Sequence, residues 1–465
     1  MPRAQPESLT RVIDDLSQRL GKRCSVNRSI LEQHSHGEDY AAHDPPDVVV
    51  WPVSTEEVSH IAALCNAQRV PLVAFGAGSS VEGQVNASQG GVCIDLSRMD
   101  QVLEMHAEDG DCVVQPGVTR EGLNAYLRDT GMYFPIDPGA NATLGGMIST
   151  RASGTTTIFY GTMAQNVVAL EVVLADGRVI RCGTRARKSS AGYDLVRVFA
   201  GAEGTLGIIT EATVRIYGRP ETVGAGVCPF PDFHKAVDAV TEVIQTGLKP
   251  TRIEFVDEVM MGACNRYMHL SLPEKPTLFV EFSGSRAGVE EQFRLADEIM
   301  QGHGAAPLEW STDEARRTEL WKARHNAYHA GRALRPGWES ISTDICVPIS
   351  ALSDSVAQAR RDIQAAGLTA AMVGHVGDGN YHVMFLFDPQ DDGQRRTIEG
   401  INSAMIDRAL AVQGTCTGEH GIGLGRRDKL RKQFGDDTLS LMCSLKRAWD
   451  PNGILNPGKI FPQTT

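Results

Sequence analysis

Three glycine-rich loops, each beside a short apolar run, constrain this chain more than any other feature of its sequence. "VAFGAGSSVEG" sets Gly76, Gly78 and Gly83 with Ser79 and Ser80 directly after an apolar segment ending at Phe75. Backbone amides and hydroxyls that converge in this way suit phosphate oxygens, and glycines let the main chain come that close. The loop lacks the Gly-Lys-Ser/Thr ending of a Walker loop, and it does not open a long helix as a dinucleotide G-x-G-x-x-G does. "DPGANATLGGMISTRASG" adds Gly139, Thr143, Gly145, Gly146, Ser149 and Ser153, small residues that would let a flat ligand lie against backbone. "GAEGTLGIIT" adds Gly201, Gly204, Thr205 and Gly207 just before a strand. One glycine loop is usually a turn; three form a constellation.

The rhythm of the chain predicts an α+β protein of more than one domain, as 465 residues already suggest. Leu9, Val12, Ile13, Leu16 and Leu20 make one helical stripe, with Ser8 or Thr10 as its cap. "PDVVVWPV" reads as a strand, and "STEEVSHIAALCNAQRV" as a helix opened by a Ser/Thr cap and acids in its first turn. Short β-rich runs continue to about Gly218, separated by glycines, prolines and Asp-Gly turns. After Pro220 longer helical segments alternate with strands, and a turn-rich tail begins after Asp450. The expected divisions are 1–218, 219–450 and 451–465.

Composition excludes several classes. The chain carries 45 Lys plus Arg against 57 Asp plus Glu, a net charge of −12, which disfavours nucleic acid as a partner. No apolar run reaches the ~18 to 20 residues of a membrane helix. Ten cysteines without C-x-x-C spacing fit a reduced compartment. The N-terminus lacks a signal or transit pattern, so a cytoplasmic location is expected, with a position peripheral to the inner membrane, or the mitochondrial matrix if a presequence has been removed, as alternatives.

"GHVGDGNYHV" holds two histidines across a tight reversal. If "AAMVGHV" is a strand and "NYHVMFLF" its antiparallel return, His375 and His382 come side by side. Two separately hydrogen-bonded histidines would look the same. "GTCTGEHGIGLGRR" offers Glu419 as a third ligand, and His, His and Glu make a site with open positions, suited to catalysis. Zn²⁺ is the favoured ion, with Mn²⁺ or Fe²⁺ also compatible.

The glycine segments, with "YGTMAQNVVALEVVLADG" and "GAEGTLGIITEATVRI", resemble the D-lactate dehydrogenase group of the vanillyl-alcohol oxidase type flavoproteins, from about Asp44 to Phe461. The resemblance implies an FAD-binding domain of two α+β subdomains over 1–218, an α+β substrate or cap domain over 219–450, and a C-terminal segment returning to the FAD domain. It implies FAD contacts from Phe75, Gly76, Ala77, Gly78, Ser79, Ser80 and Gly83, which grip the pyrophosphate. Pro138, Gly139, Thr143, Gly145, Gly146, Ser149, Ser153, Gly154, Tyr160 and Gly161 are expected around the ribityl chain and flavin ring, with Glu203, Gly204, Gly207, Ile208, Ile209 and Asn456. Ala77 stands in a loop without histidine or cysteine, so the FAD is expected to be non-covalent. "GHxGDGNxH" and "GEHGIG" resemble the group's metal segments, which implies His375, His382 and Glu419 as ligands.

The implied reaction is oxidation of a small anionic 2-hydroxy acid by hydride transfer from C2 to flavin N5. His420 is the candidate base and Arg324 the candidate clamp on the substrate carboxylate. Relatives that act on D-2-hydroxyglutarate carry a lysine where this chain has Ser342 and an asparagine where it has Met384. D-lactate is therefore the first expectation and a hydrophobic D-2-hydroxy acid the second. A glycolate oxidase subunit, a D-2-hydroxyglutarate dehydrogenase, a metal-dependent hydrolase and a non-catalytic flavin module remain as alternatives. No nicotinamide fingerprint or iron–sulfur spacing occurs, so electrons would leave to a quinone, a cytochrome, an electron-transfer flavoprotein or oxygen. A homodimer is one assembly left open.

Overall fold

The structure, a computed structural model, describes residues 3–38 and 44–462. The chain divides into two compact units. The first comprises Met1–Ser153, Gly161–Arg219 and Glu419–Thr465, and the second Gly154–Tyr160 and Pro220–Gly418.

In the first unit a small sheet orders its strands Cys24–Ser25, Val48–Val50, Val92–Asp95 and Leu72–Phe75. The last three are parallel, which matches their apolar runs, broken only by Asp95. An antiparallel sheet follows, ordered Val102–His106, Asp111–Val114, Ile208–Arg215, Val167–Val173 and Val179–Gly183. Helix Thr55–Gln68 is capped by Ser54, whose hydroxyl accepts the Glu57 N–H at 3.4 Å. Its Val58, Ile61, Ala62 and Cys65 pack into one core with Val48, Val92, Val173 and Ile208.

The N-terminal helix Pro6–Leu20 buries Val12, Leu16 and Leu20, as its spacing predicts. Its expected cap is corrected: Ser8 and Thr10 lie inside the helix, which Gln5 precedes without a side-chain bond. Pro6 opens it instead, because a first-turn proline lacks an N–H that would have no intrahelical partner anyway.

The second unit is built on an eight-stranded antiparallel sheet. Its order is Glu309–Ser311, Thr222–Pro229, Thr277–Gly284, Arg252–Val256, Thr369–His375, Asn380–Phe387 and Glu339–Ser342, with Ile345–Cys346 also pairing the sixth strand. One face is covered by helices Glu258–Met268, Glu314–His325 and Ala327–Arg332 through Met260, Met261, Trp321, Ala323, Ala327 and Ala330.

The chain leaves the second unit at Gly418, not at 450 as the texture of the sequence suggests. Helix Arg427–Trp449 belongs to the first unit because its far end bonds there. Lys446 Nζ donates to the carbonyls of Thr205 and Leu455, and Trp449 packs on Phe199 with ring centroids 5.0 Å apart.

Candidate functional site

The first unit gathers the glycine loops. The Gly76–Gly83 loop follows strand Leu72–Phe75, with Gly78 and Gly83 at φ 67° and 75°, a region that favours glycine. A Cβ on Gly76 would stand 2.3 Å from the Thr143 hydroxyl, so the first two loops meet at a point that only glycine allows. Thr143 caps helix Leu144–Thr150, which contains Gly145, Gly146 and Ser149. Ser80 Oγ is buried with no hydrogen-bond partner among the described residues. An orphaned hydroxyl beside converging glycines fits the phosphate portion of a nucleotide cofactor.

The third loop is tied in by Glu203, which takes φ 50° and donates its N–H to Ser149 O at 2.9 Å. Its carboxylate accepts the N–H groups of Ile422 at 2.7 Å and Gly423 at 2.8 Å. Asn456 Nδ2 donates to Gln84 O and Glu203 O, which joins the C-terminal segment to two of the loops. Gly207 precedes strand Ile208–Arg215, which begins with Ile208 and Ile209. Pro138 and Gly139 lie in the loop before Thr143, and Gly161 lies in this unit, whereas Gly154 and Tyr160 fall in the second.

Burial pushes the Glu203 carboxyl up to about 7, opposed by the two amides. A carboxyl raised above its unfolded value favours the folded state when protonated. That contribution is full below the unfolded value near 4.5 and is lost as pH rises through 7. It is worth on the order of 3 kcal/mol. Thermal unfolding of the flavin-loaded protein at about pH 5 and about pH 8 should show a smaller loss in Glu203→Gln than in the wild type. Equal losses would refute the assignment.

In the second unit the two histidines sit on a strand pair. Strand Thr369–His375 pairs antiparallel with Asn380–Phe387, and Val373 faces His382 while His375 faces Asn380. His375 and His382 are therefore diagonal neighbours on one face, with ring centroids 5.6 Å apart. Gly379, at φ 73°, closes the turn.

Each ring is fixed by its Nδ1. His375 Nδ1 lies 2.7 Å from Glu254 Oε1, and His382 Nδ1 lies 2.9 Å from Thr343 O. A carboxylate and a carbonyl can only accept, so in the neutral rings both Nδ1 atoms carry hydrogen and both Nε2 atoms keep a lone pair. This is the arrangement of metal-ligating histidines.

His375 and His382 give the second unit two imidazole donors, and Glu419 directly follows Gly418, the last residue of that unit in the chain. The donor set fits a divalent ion. Ser153, expected near the flavin, donates its hydroxyl to Glu419 Oε2.

Arg324, on helix Glu314–His325, reaches Glu254 with Nε at 2.9 Å and Nη2 at 2.7 Å. His420 lies in the first unit, its carbonyl accepting from Gln84 Nε2 at 2.7 Å and its Nδ1 3.7 Å from Glu82 Oε1. Glu82 also pairs with Arg426 at 2.6 Å, both side chains buried.

Sequence reasoning missed Glu254, Thr343 and Asp344. The available signal was an acid inside the apolar strand "RIEFV" and another inside "STDICVP", since carboxylates are rarely buried without a partner.

Two family models match: "FAD binding domain" over residues 46–183, and "FAD linked oxidases, C-terminal domain" over residues 219–460. The chain is 48% identical over 443 residues to a Danio rerio protein named probable D-lactate dehydrogenase, mitochondrial, covering 95% of this chain and 89% of that one. It is 42% identical to the Arabidopsis thaliana D-lactate dehydrogenase [cytochrome], mitochondrial, over 93% of this chain and 77% of that one. A Bacillus subtilis glycolate oxidase subunit is 33% identical over 90% of this chain and 89% of that one. Among solved structures, p-cresol methylhydroxylase with substrate bound matches at TM-score 0.81 and 18% identity, covering 98% of this chain and 97% of that one, which supports the fold. No helix among the described residues is long and apolar enough to cross a membrane. The chain is an enzyme of the FAD-linked oxidase family, with the vanillyl-alcohol oxidase type fold, and it belongs there with the D-lactate dehydrogenases.

Proposed function

We propose that this enzyme oxidises D-lactate, or a similar short or hydrophobic D-2-hydroxy acid, to the 2-oxo acid with non-covalent FAD and a divalent ion. The observation that carries the metal half is the pair of Nε2 lone pairs turned to one side by Glu254 and Thr343. His375, His382 and Glu419 would hold Zn²⁺ or Mn²⁺, which supplies Lewis acidity toward the substrate hydroxyl and carboxylate. FAD, held by the Gly76–Gly83, Gly139–Ser149 and Glu203–Gly207 loops, supplies hydride acceptance at N5.

The remaining work falls to side chains. Arg324 gives Nε and Nη2 to Glu254, so a substrate carboxylate is met from its Nη1 side. His420 is the proposed acceptor of the hydroxyl proton. Met384, two residues beyond His382 on the same strand, packs into the apolar cluster with Met260 and Trp321. An apolar wall there suits a methyl or alkyl side chain and leaves a second carboxylate without a partner.

The Arabidopsis relative's name carries "cytochrome", which makes a cytochrome the first acceptor to test, before a quinone or an electron-transfer flavoprotein. Relatives named mitochondrial make the matrix or the cytoplasm the compartments to examine. The likeness to a glycolate oxidase subunit keeps glycolate as the second substrate.

The test is anaerobic absorbance of the metal-loaded protein with D-lactate, L-lactate, glycolate and D-2-hydroxyglutarate added separately. Rapid loss of the flavin's visible band with D-lactate and not L-lactate is expected. Bleaching by glycolate or the diacid alone would move the substrate, and bleaching by none would overturn the proposal.

A further inference from the structure

One buried carboxylate joins two groups that the proposed reaction needs. Glu254, 1% exposed, stands on strand Arg252–Val256. The neighbouring pair Phe255 and Gly374 sets the register, so Glu254 comes opposite His375. Oε1 lies 2.7 Å from His375 Nδ1, while Oε2 accepts Arg324 Nε–H at 2.9 Å and forms an ion pair with Nη2 at 2.7 Å. Phe279 is its partner on the other neighbouring strand, and Trp321, Ala323 and Cys264 of the covering helices pack nearby in the apolar cluster. Among the described residues the carboxylate has no further polar partner.

Two consequences follow from chemistry alone. An ionised carboxylate has no proton to give, so Oε1 fixes the His375 tautomer that leaves Nε2 with a lone pair. Oε2 takes one edge of a planar guanidinium, which sets the direction of its remaining N–H groups. Both constraints come from one rigid planar group.

We propose that Glu254 is a positioning residue whose single carboxylate sets the metal-facing imidazole of His375 and the substrate-facing guanidinium of Arg324 in fixed register. The inference rests on His375 holding a divalent ion. It goes beyond that reading in tying ion affinity and acid binding to one residue that touches neither ligand. A 2-hydroxy acid presents a hydroxyl and a carboxylate on adjacent carbons, and this shared anchor matches a fixed spacing of that kind.

Glu254→Gln tests it, because the amide has the shape of the carboxylate but cannot serve two donors. If its oxygen faces Arg324, its NH₂ faces His375 Nδ1 and drives the proton to Nε2, where it blocks a metal. If its oxygen faces His375, its NH₂ opposes the guanidinium.

The measurement is the dissociation constant for Zn²⁺ and for Mn²⁺, by competition with a chromophoric chelator. It is made on flavin-loaded protein stripped of metal, for wild type, His375→Ala, Glu254→Gln and Glu254→Asp. KM for D-lactate is measured in parallel. His375→Ala should lose the stoichiometric ion, whereas Glu254→Gln should keep flavin content and circular dichroism but bind the ion about 10- to 100-fold more weakly. Its KM should rise as well. Glu254→Asp, which keeps the charge but is one methylene shorter, should recover part of one effect and not both.

Wild-type ion affinity in Glu254→Gln, with only a lower melting temperature, would reduce Glu254 to a structural ion pair and overturn the inference. Wild-type ion affinity in His375→Ala would instead overturn the metal reading beneath it. Should Glu254→Gln not fold, Glu254→Asp decides: an unchanged ion affinity and KM in that variant overturns the inference.

Discussion

Replacing His382 with alanine should leave a yellow, folded protein that carries no stoichiometric divalent ion and is bleached by D-lactate more than ~100-fold more slowly. The bound on the rate comes from outer-shell partners, whose loss typically costs about 10- to 100-fold, and removal of a ligand itself should exceed that. Flavin should survive because the segments expected to hold it lie mostly in the first unit, while His382 belongs to the second. The strand should survive as well. His382 is paired through backbone with Val373 between buried neighbours Tyr381 and Val383, and alanine keeps those main-chain bonds. Metal content by elemental analysis, flavin by absorbance and single-turnover bleaching check the three parts separately. A variant that bleaches at the wild-type rate would show that no ion is needed there and would return His375 and His382 to a structural role.

The site was legible where a local pattern and its tertiary use coincide. Apolar runs on both sides of Gly377-Asp378-Gly379 predict a strand pair, and the pair is there with the two histidines on one face. Glycine loops are similarly local, because a glycine that must admit another group, as Gly76 admits Thr143, is visible as a glycine. What could not be read depends on partners far along the chain. Glu254 meets His375 across 121 residues, and nothing in "RIEFV" says which imidazole its carboxylate will meet. Helix Arg427–Trp449 has a texture that suits either unit, and its bonds to Thr205 and Leu455 and the packing of Trp449 on Phe199 assign it. Even the first helix shows this limit in small form: Ser8 and Thr10 are good caps in principle, but Pro6 begins the helix ahead of them.

Replacing Asp344 with alanine should lower stability and ion content together, although Asp344 is not among the proposed ligands. Its carboxylate is fully buried. Oδ1 accepts Asn380 Nδ2 at 2.8 Å, and Oδ2 accepts the Thr417 hydroxyl and the Gly418 N–H, each at 2.7 Å. These bonds clamp the segment that ends one residue before Glu419. The clamp is close: a Cβ on Gly418 would stand 2.4 Å from Asn380 Nδ2 and 2.9 Å from Asp344 Oδ1. Alanine would leave the buried Asn380 amide and the part-exposed Thr417 hydroxyl and Gly418 N–H without their charged acceptor, at a cost of about 1 to 3 kcal/mol. It would also release the backbone that presents Glu419. Asparagine should be milder, because Asn380 Oδ1 is buried without a partner and can accept the new NH₂ if the Asn380 amide turns over. That turn would remove the bond from Nδ2 to Ile345 O, so the rescue should be partial. Melting temperature and ion stoichiometry should both fall in the order wild type, Asp344→Asn, Asp344→Ala. A large loss of stability with full ion content would separate the two effects and show that Glu419 is held in place by something other than this clamp.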